Sequence, residues 1–461
     1  MRRPLLTGAL AAALLALPPA AAGGLRIVEP FPPERYLAQG AVGLHVPGAG
    51  ATVTRESARN ALLTGEVESS FLGGSPPGRP KLLDLLARPG AFELVVALPP
   101  PGESENDERY PIAALGAGFR GVLTSDSTRI TGLVSIADAA NGELRSEEVA
   151  DPAATLATLE RRIDRNDRLR LPLTLLLVAV SGLVALLRPG LGPRVFLLAL
   201  AGNLWLAGWW AVALVALAGL LLPLGWAAAA VLAAVLAALG ADAEIVALSP
   251  FGPSQAGRFY GVSNLLATML LVPALVGAAL LGRAGIAAGT LALVAVGGNR
   301  FGADGGGLLV LLAGYGVLAL RLHGRRLTAR RAAAVGAAAV AAGVLLVGID
   351  AALGGASHVT GALADGPGAV LGDVGDRLRI SAERTLAGAG PLLASLAGLA
   401  GLALVATRWP RGPVTDALLA ALLVSLAVND TPSDVLAVGA AAALAVLRWE
   451  QVTGRARTEP G

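Results

Sequence analysis

The pattern of apolar and polar positions divides the chain into three regions. A short apolar run, Leu5 to Leu17, follows Arg2 and Arg3 and ends in Pro18, Pro19 and three alanines. This charged start, brief apolar centre and small-residue end predict an export signal over residues 1–22, with retention as an anchor the alternative. From Gly23 to Arg170 no long apolar run occurs. Short runs such as Phe92–Leu98 and Gly121–Thr124, bounded by Pro and Gly, predict strands. Ser57–Thr64 and Ala153–Arg170 predict helices, so this region is expected to be an exported α/β domain.

After Arg170 apolar runs follow one another: Leu171–Leu187, Val195–Gly240, Val262–Leu281, Gly285–Gly298, Gly306–Leu320, Ala332–Ile349, Leu386–Thr407, Val414–Val428 and Val435–Leu447. They predict a helical polytopic membrane domain over 171–450 and a cytoplasmic tail over 451–461. Several runs are shorter than the roughly 20 residues of an ordinary spanning helix, and Ala and Gly fill them, which suits close helix packing in lipid. Val195–Gly240 is the ambiguous segment. Three short crossings there give eleven spans in total; one crossing with an interfacial piece gives nine, and the reading favours eleven.

Charge supplies the orientation. The stretch Gly23–Arg170 holds 16 Lys+Arg against 20 Asp+Glu, whereas Leu171–Gly461 holds 18 Arg, no Lys and 13 acids. With the first span running inward, 13 Arg and three acids fall inside, and five Arg and ten acids fall outside, as the positive-inside rule requires. The expected location is the plasma (inner) membrane, multi-pass, with the N-terminal domain outside and the C-terminus cytoplasmic. Composition narrows the chemistry. The absence of Cys excludes thiolate metal sites, iron–sulfur clusters and a thiol nucleophile; with only His45, His323 and His358, no metal centre or cofactor is expected. The glycines near residue 300 lack the Gly-Lys-Ser/Thr of a nucleotide loop, and alternating charges over Ala153–Arg170 argue against nucleic acid.

Polar loops between the apolar runs carry the candidate chemistry, and the topology places them on the outer side. They are Asp242–Asn264, Gly297–Gly307, Asp350–Arg384 and Asn429–Asp434. Gly257-Arg258-Phe259-Tyr260-Gly261 and Asn299-Arg300-Phe301-Gly302-Ala303-Asp304 share an Arg, an aromatic and a Gly. Arg grips phosphate or carboxylate through two parallel hydrogen bonds, and Gly-rich backbone admits a head group closely. Candidate ligand-binding residues are Arg258, Tyr260, Asn264, Asn299, Arg300, Asp304 and His358, with a lipid-linked anionic substrate as the expected ligand. The structural alternative pairs Arg258 or Arg300 with Asp304 or Glu244. Arg300 and Asp304, four residues apart, would share a face if the turn is helical.

These loops resemble those of a group of uncharacterised bacterial, actinobacterial-type multi-pass membrane proteins, through Phe251-Gly252-Pro253, Gly257–Gly261 with Asn264, and Phe301–Gly306. That resemblance implies a membrane location and no activity. In the exported region, Leu123–Val134 with Ala137-Asp138, and Gly40–Leu44, are similar to alkaline-phosphatase/sulfatase-like domains. With only His45 and with Glu29-Pro30 in place of an Asp-Gly, the resemblance implies a shortened, metal-free relative. Three functions stay open: transport of an envelope lipid or its glycan precursor, transfer of a group on a lipid-linked substrate with Asp304 as base, or a non-catalytic scaffold or sensor whose exported domain binds an envelope protein partner.

Overall fold

The computed structural model describes residues 24–29, 31–48, 52–65, 82, 86, 92–116, 118–241, 244, 248–253, 260–298, 301–352, 379, 381–382, 385–386, 388–429 and 432–458. The export signal expected over 1–22 lies outside them. Two compact units form, and the boundary between Asp164 and Arg165 falls inside one helix.

The first unit is built on a mixed sheet. Its strands are β1 (Leu25–Ile27), β2 (Gly40–Val46), β4 (Glu93–Val96), β6 (Tyr110–Leu115), β7 (Gly121–Thr124), β8 (Leu133–Ser135) and β9 (Arg145–Glu147). β3 (Thr52–Thr54) and β5 (Glu103–Glu105) pair apart from it. The order is β1-β4-β6-β2-β7-β9, with β8 also pairing β2. All seven residues of β2 are buried, which explains its near-continuous apolar sequence: covered on both faces, it has no polar side to show. Gly40 and Gly43 let the neighbours close in, since a methyl on Gly43 would stand 2.9 Å from the Leu123 Cβ. One core holds Leu62, Leu94, Ile112, Leu123 and Ile136; a smaller one holds Tyr36, Val42, Val95 and Ala113.

Helices α1 (Pro33–Leu37), α2 (Arg55–Thr64) and α3 (Ile136–Ala140) accompany the sheet. A reciprocal capping box starts α2, with the Ser57 amide donating to Thr54 Oγ1 at 2.9 Å and the Thr54 amide to Ser57 Oγ at 3.0 Å. Gly65, at φ +73°, ends it, the left-handed cap for which glycine carries no steric cost.

Helix α4 (Pro152–Leu187) runs 36 residues without a break. The expected connecting helix and first span are therefore one element, and Pro172 sits inside it. The second unit continues with α5 (Gly192–Leu206), α6 (Trp210–Gly219), α7 (Leu224–Ala241), α8 (Asn264–Leu280), α9 (Ala284–Gly297), α10 (Gly305–Leu322), α11 (Ala329–Ala352), α12 (Ala389–Arg408), α13 (Pro413–Val428) and α14 (Pro432–Thr458). The ambiguous segment 195–240 thus forms three helices in this fold. At the centre lies α8, buried at every position from Leu265 to Gly277.

Among the described residues, six helices are long and apolar enough to cross a membrane: Pro152–Leu187, Leu224–Ala241, Gly305–Leu322, Ala329–Leu346, Ala389–Arg408 and Pro432–Gly454. Their outward faces are apolar too. Leu171, Leu175, Leu186, Leu187, Leu345 and Leu393 are all more than half exposed, a skin that water would penalise and lipid would not. The chain has the character of a multi-pass membrane protein.

Cross-links between helix ends give the bundle two distinct poles. At one, Arg170 bridges to Asp434 at 3.2 Å, Arg165 donates to the Leu206 carbonyl at 2.8 Å, and Asn166 donates to the Leu248 carbonyl. At the other, Arg194 donates to the carbonyls of Leu220 and Leu222, Asp416 accepts from Arg411 Nε at 2.7 Å, and Arg321 forms an ion pair with Asp416 at 2.7 Å. Glu450 holds the start of α13 there, accepting from the Val414 amide at 2.8 Å and from Thr415 Oγ1 at 2.6 Å.

Candidate functional site

The described ends of the two Arg-aromatic-Gly loops, Gly261-Val262 and Gly302, meet near the pole that carries Arg170. The Val262 amide donates to the Gly302 carbonyl at 3.0 Å. Gly261 takes φ +78°, and a side chain there would run into the Gly302 backbone, so both the conformation and the space demand glycine. The second loop folds back over the end of α9. The amides of Phe301 and Ala303 both donate to the Gly298 carbonyl at 2.9 Å, and that of Asp304 to the Val296 carbonyl at 2.9 Å. These bonds satisfy carbonyls that a helix C-terminus leaves without partners. They also force Ala303 to φ +49°, an unusual conformation for a residue with a Cβ. Residues 301–304 are therefore a turn rather than helix.

The turn delivers Asp304 to the first position before α10, where it is 7% exposed. Its side chain makes no capping bond, and Oδ2 is buried without a hydrogen-bond partner. Two small residues make room for it. A methyl on Gly307 would stand 2.5 Å from Asp304 Oδ2, and one on Gly306 would stand 3.5 Å from Oδ1. The same point above Gly306 is 3.2 Å from Asn429 Oδ1. Asn429 is 5% exposed. Its Nδ2 donates to Ser425 Oγ at 2.7 Å, and its backbone carbonyl accepts from Ser381 Oγ at 3.1 Å.

A second polar joint anchors the Ser-Pro-Phe-Gly stretch that precedes the first loop. Buried Asn203, in the last turn of the apolar helix α5, donates to Ser249 Oγ at 2.9 Å and accepts from the Phe251 amide at 3.1 Å. Ser263 caps α8 by accepting from the Leu266 amide and donates to the Phe251 carbonyl at 2.5 Å. Arg170 donates to the Gly252 carbonyl at 2.7 Å. Sequence reasoning missed Asn203 and Ser425, and it placed Ser381 and Asn429 in candidate loops without singling them out. Asn203 and Ser425 are polar residues inside apolar runs, which is the signal that could have found them.

Of the expected site residues, Tyr260 is buried beside the joint, Asn264 opens α8, and Asp304 closes the turn. Arg258, Asn299, Arg300 and His358 lie outside the described residues.

The first unit holds a separate polar cluster on the segment likened to phosphatases. Asp138 is 1% exposed. It accepts from Ser127 Oγ at 2.7 Å and from the Ser135 amide at 2.6 Å, while Thr128 Oγ1 contacts Ser125 Oγ at 3.1 Å. Burial pushes the Asp138 carboxyl up to about 6, against the opposing pull of its hydrogen bonds from Ser127 and Ser125. His45 is fully buried, its Nε2 2.7 Å from the Ala97 carbonyl, and burial pulls it down to about 4. Glu29 is engaged by Arg55. Among the described residues no three His, Asp or Glu side chains gather where they could hold a metal ion. The cluster therefore caps and ties the start of α3, as a Ser-x-x-Asp box does.

No protein-family model, curated protein or solved structure matches this chain.

Proposed function

We infer that the protein is a multi-pass membrane protein of the cell envelope that handles an envelope lipid or lipid-linked glycan, by transport or by group transfer. The observation that supports this most is Asp304, a buried acid without a side-chain partner among the described residues, set beside two glycines where two polar loops join. Ionisable groups inside an apolar bundle are costly and tend to mark a path or a site. Gly306 and Gly307 leave the backbone bare there, and Arg300, four residues earlier in the chain, is the group of the right chemistry for an anionic head group. The Arg bias supports orienting this pole outward, in the plasma (inner) membrane, with nine to eleven crossings and a cytoplasmic C-terminus. We read the first unit as an exported, metal-free relative of phosphatase-like domains.

The test is genetic and chemical together. Deletion should slow turnover of a lipid-linked envelope precursor, and Asp304→Ala, expressed at wild-type level, should fail to restore it. Normal turnover in the deletion strain would leave the scaffold or sensor reading in its place.

A further inference from the structure

Between α10 and α11 the chain reads Arg321-Leu322-His323-Gly324-Arg325-Arg326-Leu327-Thr328-Ala329-Arg330-Arg331, five arginines and no acid in eleven residues. Arg321 is taken up by its ion pair with Asp416. The other four are exposed, and among the described residues none meets an acidic side chain. The backbone keeps them close together. The amides of His323, Gly324 and Arg325 turn back onto the carbonyls of Ala319, Arg321 and Leu320 at 3.2, 3.0 and 3.0 Å. Gly324 takes φ +71°, and Arg331 Nη1 donates to the Arg326 carbonyl at 2.8 Å. Like charges gathered this way repel one another, so an anion gains where they meet. Leu322 and Leu327 are exposed beside them, which calls for a partner that is apolar as well as anionic. One apolar helix ends at Leu322 and the next begins at Ala329. The guanidinium groups thus lie within a side chain's reach of the lipid-facing surface, where long stems can rest on apolar ground with the charge in the polar layer.

We propose that residues 322–331 form a docking surface for anionic phospholipid, the arginines taking the phosphates and the leucines the acyl layer beneath. Four cations beside a spanning helix attract an anionic leaflet far more than a zwitterionic one. A soluble polyanion would satisfy the arginines and leave the leucines in water. The occupant matters to the fold because the bundle barely grips α11: among its described residues only Ala339 and Gly343 are buried, and Val340, Val344 and Leu345 are exposed. Anionic lipid at its first turn fixes the end of that helix. In the proposed orientation this is the cytoplasmic leaflet. The surface is separate from Asp304 and does not depend on the lipid-handling reading of the opposite pole.

The full chain, purified in detergent, is to be unfolded by heat during titration with dioctanoyl-phosphatidylglycerol, dioctanoyl-phosphatidylcholine or inorganic phosphate, with retained lipids counted by native mass spectrometry. Phosphatidylglycerol should raise the unfolding temperature saturably and stay bound, and the other two should do so far less. Combining Arg325→Gln, Arg326→Gln, Arg330→Gln and Arg331→Gln should leave the lipid-free unfolding temperature unchanged, since all four are exposed, and weaken phosphatidylglycerol binding by about fivefold for each charge removed. Lys at the same four positions keeps the charge and should keep most of the affinity. If the fourfold Gln chain does not fold, Arg325→Gln with Arg326→Gln, which lie outside both helices, carries the same comparison. A phosphatidylglycerol response that survives the Gln changes, an equal response to phosphatidylcholine, or phosphate as effective as the lipid would each overturn the proposal. So would displacement of the lipid by an equal charge of polyglutamate, which would make the loop a site for an acidic protein.

Discussion

Single side chains at helix ends carry much of the specificity in this bundle. Glu450 is the clearest case, because one carboxylate accepts from two backbone amides and a hydroxyl at the start of α13. Glu450→Ala leaves all three donors unmet, and such losses cost about 1–3 kcal/mol each when buried. Thermal unfolding in detergent should show a clear drop, with Glu450→Gln intermediate because one acceptor oxygen remains. Gly412 is tied to the same contact: a methyl there would enter the Glu450 carboxylate, so Gly412→Ala should destabilise without touching any charge. Asp304 was legible in the sequence because acids are rare among these apolar runs and glycines follow it. Its neighbour across Gly306 was not. Asn429 belongs to another loop, and only the packing of α10 against α13 brings the two together.

Helices and strands were legible where periodicity and punctuation agreed, and less so where one element serves two environments. Strand β7 covers the expected Gly121–Thr124, and α2 covers the expected Ser57–Thr64 but starts two residues earlier, at Arg55. The 36-residue α4 reads as two elements because its composition changes at Arg170, yet nothing in the backbone stops it: Pro172 lacks an amide donor, but the helix carries on past it. The turn before α10 escaped sequence reasoning for a different cause. Spacing of four residues implies a shared helix face only if the chain is helical there, and the amide bonds to Gly298 and Val296 make it a reversal instead. The loop joint offers an element-scale prediction. Gly261→Ala should break the Val262–Gly302 contact by steric overlap and a disfavoured φ, lowering the unfolding temperature. Gly282→Ala is the control. It also has a positive φ, but with nothing within 4 Å, it should lose only the smaller conformational cost of about 1 kcal/mol.

Across the whole molecule, charge sorts by pole, and labelling can read that sorting. In this Cys-free chain, Ser254→Cys and Ser433→Cys should react with an impermeant thiol reagent on intact cells, while Arg326→Cys should not; the reverse pattern would invert the proposed orientation. The first unit has a pH response of its own. Asp138, raised from 3.8 to about 6 by burial, holds its proton more tightly in the fold. Its contribution is fully present below pH 4 and is lost as pH rises to about 6. His45, lowered from 6.5 to about 4, does the opposite: protonation below pH 6.5 favours the unfolded chain, so stability rises with pH across the window from about 4 to 6.5. Each is worth about 3 kcal/mol at 1.36 kcal/mol per unit, so they nearly cancel. Hydrogen-exchange protection of β2 in the full chain should therefore vary little over that range through these two groups. In Asp138→Asn, protection should climb with pH by roughly a hundredfold, the response of His45 alone; a flat profile in the variant would contradict the assignment.

Helix α6 has ten residues, which at 1.5 Å each make about 15 Å, half the thickness of a bilayer's hydrocarbon layer. Trp210, Val215 and Leu221 on and after it face outward, and Arg194 closes off its last carbonyls at the far end. A membrane wrapped around this flank has to pinch in to meet so short a rim. Such hydrophobic mismatch costs fractions of a kcal/mol per ångström, borne by the lipid rather than by the fold. Reconstituted into phosphatidylcholines of increasing chain length, the protein should be most stable in the thinner bilayers and lose stability steadily as the acyl chains lengthen. Under the proposed transport reading, such thinning would shorten the distance a polar head group travels between the two leaflets.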